Sequence, residues 1–272
     1  MQAVLYVAHG TRVSEGIDEA RVFVERAKKR IPVSIQEMCF LELATPTIAE
    51  GVASCVAQGA TEIAVAPILL LTANHAKMDI PEEIAPLAEK YPHVTFTFGK
   101  PFGIDRRLIE QLHTRLEAST SKFTEDSEVL LIGRGSSDPA VLRDFSEIAT
   151  RLKMHIGIRK VEIAFLYGKG PRFEDYVANL EQKSAKKIFI VPYLLFQGLL
   201  RKHIEQTLQQ ANVQQELVIC DSLGYGNKVL DVLVDRTKEA VAEATNINNE
   251  VIIHGFTSRK QSIYRTTSTA AK

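Results

Sequence analysis

The chain repeats itself at an interval of 125 residues, so its fold must be something built twice. Val4-Leu5 recurs as Val129-Leu130, Phe40-Leu41 as Phe165-Leu166, and Val52-Ala53 as Val177-Ala178. Gly10, Pro46 and Pro67 recur as Gly135, Pro171 and Pro192. At 272 residues the length suits about two domains of roughly 100–200 residues each. The expected units are residues 1–122 and 128–245, followed by a polar tail over 246–272. The polar stretch 119–127 (STSKFTEDS) joins the halves. After the third strand the register drifts by four residues, so that Gly103 pairs with Gly224 and Leu112 with Leu233.

Within each half, short β-rich runs alternate with amphipathic stretches. Residues 4–8, 35–41, 63–71 and 94–98 read as strands, and 129–132, 161–165, 188–195 and 217–220 repeat them. The third run is apolar almost throughout, as a strand buried on both faces should be. Ile17, Ala20, Phe23, Val24 and Ala27 follow helical spacing, with Ser14 as the expected cap. Further helices are expected over 46–58, with Gly59 just past its end, over 81–91 and over 106–118. Pro86 should kink or break the helix over 81–91. The pattern implies an α/β fold of two similar tandem domains. Each is a parallel four-stranded flavodoxin-like sheet, in the order 2-1-3-4, flanked by helices. A cleft is expected between the domains.

Three polar residues break the repeat. His9, Glu42 and His75 each stand where an apolar run ends, and their counterparts are Arg134, Tyr167 and Leu200. Ligands of open parallel sheets bind beyond the carboxyl ends of the strands. Neighbouring strands lie about 4.8 Å apart, so three adjacent strand tips bring these side chains within roughly 10 Å. Two imidazoles and a carboxylate suit a divalent transition metal or a general base. A loop histidine or a capping glutamate is the plain alternative for each taken singly. The second half argues against that alternative, because the same scaffold there carries Arg, Tyr and Leu. Asp79, four residues past His75, could orient that imidazole.

Other features are bland. Lys+Arg and Asp+Glu are both 33, so no global field draws nucleic acid or an anionic membrane. Lys28-Lys29-Arg30 ends a helix, where cations offset its dipole. No apolar run reaches the roughly 18 residues of a membrane span, and no signal peptide is evident. Cys39, Cys55 and Cys220 have no paired spacing, which fits a reduced cytoplasmic protein. The segment GRGSSD (133–138) reads as a strand-to-helix turn rather than a phosphate loop, because its glycines repeat the turn of the first half. His93, His113, His155, His203 and His254 match no motif.

The segments VAHGTR (7–12), FLELATPTI (40–48) and APILLLTANHAKMDIPEEI (66–84) closely resemble the sirohydrochlorin chelatases of the class II chelatase superfamily. The resemblance covers about residues 1–240 and is closest to the long two-domain form that inserts iron. It implies metal insertion into sirohydrochlorin to give sirohaem, without ATP and with no permanently bound cofactor. Fe(II) is the implied substrate metal, and Co(II) or Ni(II) could substitute. His9 and His75 would be the metal-handling catalytic pair, with Glu42 their acidic partner. Shorter relatives pair two chains, so the duplication implies a monomer. A polycarboxylate substrate calls for cations at the rim, and Arg12, Lys77, Arg134 and Arg201 are the expected contacts, with Lys169, Arg172 and Lys202 nearby. Cobalt or nickel insertion is the competing activity. A tail with one histidine and no cysteine lacks the cluster of long cobalt-inserting relatives. A non-catalytic metal or tetrapyrrole binder is the third reading, opposed by the intact His9, Glu42 and His75.

Overall fold

The computed structural model describes residues 1–246 apart from 73–74, 120, 123, 125–126, 197 and 212; the side chains of His75 and of residues 244–246 are outside that description. His254 and all but the first residue of the expected tail lie outside the described residues. Eight strands form two four-stranded sheets, parallel throughout. β1 (Gln2–Ala8), β2 (Ile35–Phe40), β3 (Glu62–Ile68) and β4 (Thr95–Phe98) pair in the order β2-β1-β3-β4. β5 (Ser127–Gly133), β6 (Val161–Phe165), β7 (Lys187–Pro192) and β8 (Glu216–Ile219) pair as β6-β5-β7-β8. Both sheets have the expected order. β1 and β3 are buried along their whole length after the first residue, which is why their sequences are apolar without alternation.

The helices differ from expectation in three local ways. α1 (Ser14–Lys28) begins at Ser14 rather than being capped by it. The Thr11 hydroxyl accepts the Val13 N–H, and the Ser14 hydroxyl donates to Glu15 instead. α2 (Ile48–Ala57) starts two residues after Pro46, because Thr47 and Glu50 form a reciprocal capping box. α3 (Ile80–Lys90) runs unbroken through Pro86 and follows a π-helical turn, His75–Asp79. The carbonyl that Pro86 leaves without a helical donor belongs to exposed Glu82, where water can satisfy it. α4 (Arg106–Glu117) is capped by Asp105, and α5 (Pro139–Ile156) by Asp138. α6 (Phe173–Ala178), α7 (Leu199–Gln210) and α8 (Asn227–Asn246) follow among the described residues.

Three cores result. Leu5, Val7, Ile63 and Val65 on one face of the first sheet pack with Ile48, Val52, Ile80 and Ile84 of α2 and α3. Leu130, Ile132, Ile188 and Ile190 pack with Phe173, Ile204 and Leu208 on the outer face of the second. The inner faces of both sheets share one continuous core with α1, α4, α5 and α8. The last helix of each repeat crosses over. α8 lies against β3 and β4, while α4 lies against α5 and β7. The buried Thr97 hydroxyl donates to the Ala240 carbonyl at 3.1 Å, and Arg107 pairs with Asp235 at 2.6 Å.

Candidate active site

His9 follows β1 and Glu42 follows β2, on adjacent strands. The Glu42 N–H donates to the His9 carbonyl at 3.0 Å, extending the β1–β2 ladder past its end. That contact needs Gly10: with φ +96°, a Cβ there would lie 1.8 Å from the Glu42 carbonyl oxygen. The second repeat has the same turn. Tyr167 N–H donates to the Arg134 carbonyl at 2.9 Å, and a Cβ on Gly135 would lie 1.9 Å from the Tyr167 oxygen. Scaffold and chemistry are therefore separable here.

In the first repeat the turn brings His9 Nε2 within 3.3 Å of Glu42 Oε1. His9 Nδ1 lies 3.2 Å from the Gly10 carbonyl oxygen. In the tautomer that donates Nδ1–H to that carbonyl, Nε2 turns a lone pair toward the carboxylate. Two such acceptors at this distance call for a proton or a cation between them. The pair can hold either. His75 opens the π-helical turn after β3, and its side chain lies outside the described residues. Among the described residues no group of three His, Cys, Asp or Glu side chains gathers around a common point.

The pair sits on the wall of a cavity of about 580 Å³ lined by both repeats, a size usual for small-molecule sites. The first repeat contributes His9, Arg12, Glu42, Leu43 and 69–71; the second contributes Arg134, Tyr167, Tyr193, Phe196 and Leu200. The walls are mostly apolar. Sequence reasoning missed these walls because their residues read as the ends of buried strands. The signal was excess length. The apolar run 63–71 outlasts β3, which ends at Ile68, and Leu69 and Leu70 instead accept from Phe102 and Gly103 N–H.

Of the four expected cations, Arg12 and Arg134 are exposed and line the cavity. Lys77 and Arg201 do not stand where the sequence suggested. Lys77 Nζ reaches across to Asp138 Oδ2 at 2.6 Å, joining the π-helical turn to the cap of α5. The ammonium holds the Asp138 carboxyl below the usual carboxylate range. Arg201 is mostly buried; it donates to Glu205 at 2.6 Å and to the Cys220 carbonyl, bracing α7 against the end of β8. The segment 133–138 is a turn: Ser136 accepts the Asp138 N–H, and Asp138 accepts that of Ala140. All three cysteines are free and buried, and burial pushes the Cys55 and Cys220 thiols up to about 12. None is a thiolate at neutral pH.

The sequence pattern of CbiX matches residues 3–119 and, a second time, residues 128–240. The chain belongs to the CbiX family. As a CbiX protein it is 45% identical over 247 residues to a sirohydrochlorin ferrochelatase of Priestia megaterium, covering 90% of this chain and 93% of the relative. It is 36% identical over 255 residues to a sirohydrochlorin cobaltochelatase of the same organism, covering 91% and 83%. A solved structure of SirB from Bacillus subtilis with Fe3+ is similar at a TM-score of 0.81 and 42% identity, covering 90% of this chain and 97% of that one. No described helix is long and apolar enough to cross a membrane.

Proposed function

We propose that this CbiX protein is a sirohydrochlorin ferrochelatase. It inserts Fe(II) into sirohydrochlorin, releases two pyrrole protons and forms sirohaem without a nucleotide. The observation that carries this reading is the His9–Glu42 pair at 3.3 Å on the wall of a cavity built by both repeats. The ferrochelatase relative, similar over nine-tenths of the chain, supplies the substrate.

The chemistry needs a group that binds a divalent ion and a group that accepts protons. Neutral His9 presents Nε2 to the metal, and Glu42 balances its charge. As the ion passes to the macrocycle, the pair takes up the two pyrrole protons in turn and passes them to water. His75, which opens the π-helical turn after β3, is the third residue assigned to metal handling. Arg12 and Arg134 neutralise substrate carboxylates, Arg134 from the position that His9 holds in the other repeat. Lys77 and Arg201 are left out of that role, since neither lines the cavity. The protein works as a cytoplasmic monomer, its two repeats standing in for a pair of chains.

Cobalt insertion is the second reading, favoured by the 36% identical cobaltochelatase. Ligand type does not separate the metals, because affinity rises from Fe to Co to Ni at most sites. Anaerobic initial rates with Fe(II), Co(II) and Ni(II), each corrected for spontaneous insertion, decide between the readings. Iron should give the highest kcat/KM. A higher value with Co(II) would move the chain to the second reading.

A further inference from the structure

Leu43 holds a backbone conformation that its side chain disfavours. Its φ is +64°, and it is the one residue other than glycine with positive φ among the described residues. Bulky residues rarely occur there. Its counterpart 125 residues on is Gly168, with φ +78°. Each follows the residue whose N–H ties the two strand-end loops together, Glu42 in one repeat and Tyr167 in the other. Glycine builds this turn without steric cost. The first repeat uses leucine instead, and leaves it 49% exposed on the cavity wall. Backbone strain and exposed apolar surface thus fall on one side chain beside Glu42, although the fold needs neither.

Leucine also accompanies a different loop shape. In the second repeat a Cβ at position 168 would lie 2.3 Å from the Ser136 carbonyl oxygen, and Lys169 N–H donates to that oxygen at 3.0 Å. The equivalent atoms in the first repeat are the Thr11 carbonyl and the Ala44 N–H. Among the described residues no backbone bond joins them. The loop therefore closes over Gly168 but stands off Leu43. Thr11 and Leu43 both line the cavity, so this gap lies on its wall, next to His9 and Glu42.

A strained, half-exposed apolar group beside a charged pair suits the flat carbon framework of a macrocycle, not its carboxylates. We infer that Leu43 packs against the bound macrocycle and seats it over the His9–Glu42 pair, an inference that rests on the sirohydrochlorin reading above.

Leu43→Gly and Leu43→Asn both allow the left-handed backbone and remove the apolar contact. Each should keep the wild-type melting temperature or exceed it, and raise KM for sirohydrochlorin about tenfold. KM for Fe(II) should be unchanged. Leu43→Met should keep KM for sirohydrochlorin within about threefold of wild type, since the swap conserves apolar volume. Wild-type KM and kcat in both the Gly and Asn variants would overturn the inference, and so would loss of the fold in both. Wild-type protein without turnover would remove the sirohydrochlorin reading itself. In that case quenching of sirohydrochlorin fluorescence compares wild type with Leu43→Asn directly, and equal affinities would overturn the role of Leu43.

Discussion

The pairing of His9 with Glu42 rests on a backbone contact that only glycine permits. Gly10→Ala should therefore cost about 3 kcal/mol, since the loops must part to admit a Cβ now 1.8 Å from an oxygen. Gly135→Ala should cost a similar amount while leaving the His9 side of the cavity intact. Urea midpoints of both variants check this, and a loss at Gly10 alone would mean that the Gly135 turn does not depend on the same close approach. His9 and Glu42 were legible in the sequence because Arg134 and Tyr167 occupy the same turn without them. Leu43 was missed, although the repeat sets it against Gly168, a residue type that marks a left-handed turn. Lys77 and Arg201 are not among the residues that line the cavity. Lys77 is held by a tertiary partner, Asp138, whereas Arg201 pairs with Glu205 one turn along α7 and with the Cys220 carbonyl.

At the scale of elements, the order 2-1-3-4 came from the flavodoxin-like expectation, and the alternation of strands and helices could be read from periodicity. Boundaries could not. The capping box of Thr47 and Glu50 decides the start of α2, and the π-helical turn before α3 has no periodic signature. That turn carries His75 and is tied to α5 by Lys77 and Asp138. The bridge is partly exposed, so its contribution is about 1 kcal/mol. Asp138 has a depressed folded pKa. Its contribution is therefore fully present above the unfolded value, about 3.9, and is lost as pH falls through the lower folded value. The melting temperature of Lys77→Met should trail that of wild type at pH 7, and the gap should narrow below about pH 4. A gap independent of pH would show that the lysine acts through packing and not through its charge.

At the scale of the molecule, the repeats are not two independent bodies. α8 seals the first sheet and α4 joins the second repeat's layer, with Thr97–Ala240 and Arg107–Asp235 as crossing bonds. The sequence shows a duplication but not this exchange, because a helix's amphipathic face fits either sheet equally well. A fragment of residues 1–122 should lack the cover for its inner sheet face, and should dimerise or aggregate. Co-expression with residues 123–246 should restore a soluble pair. Light scattering on size-exclusion columns reads the outcome, and a folded monomeric 1–122 fragment would contradict the exchange. The second repeat supplies Arg134, Tyr167 and an apolar wall to a single cavity.

That single centre is most directly tested by the anaerobic initial rate of Fe(II) insertion into sirohydrochlorin by wild type and His9→Ala. Wild type should exceed the spontaneous rate, and His9→Ala should lose at least about a hundredfold with its melting temperature nearly unchanged, since Arg134 fills the same position in the other repeat. A wild-type rate equal to the spontaneous one, or a His9→Ala variant that keeps most of its activity, would contradict the account.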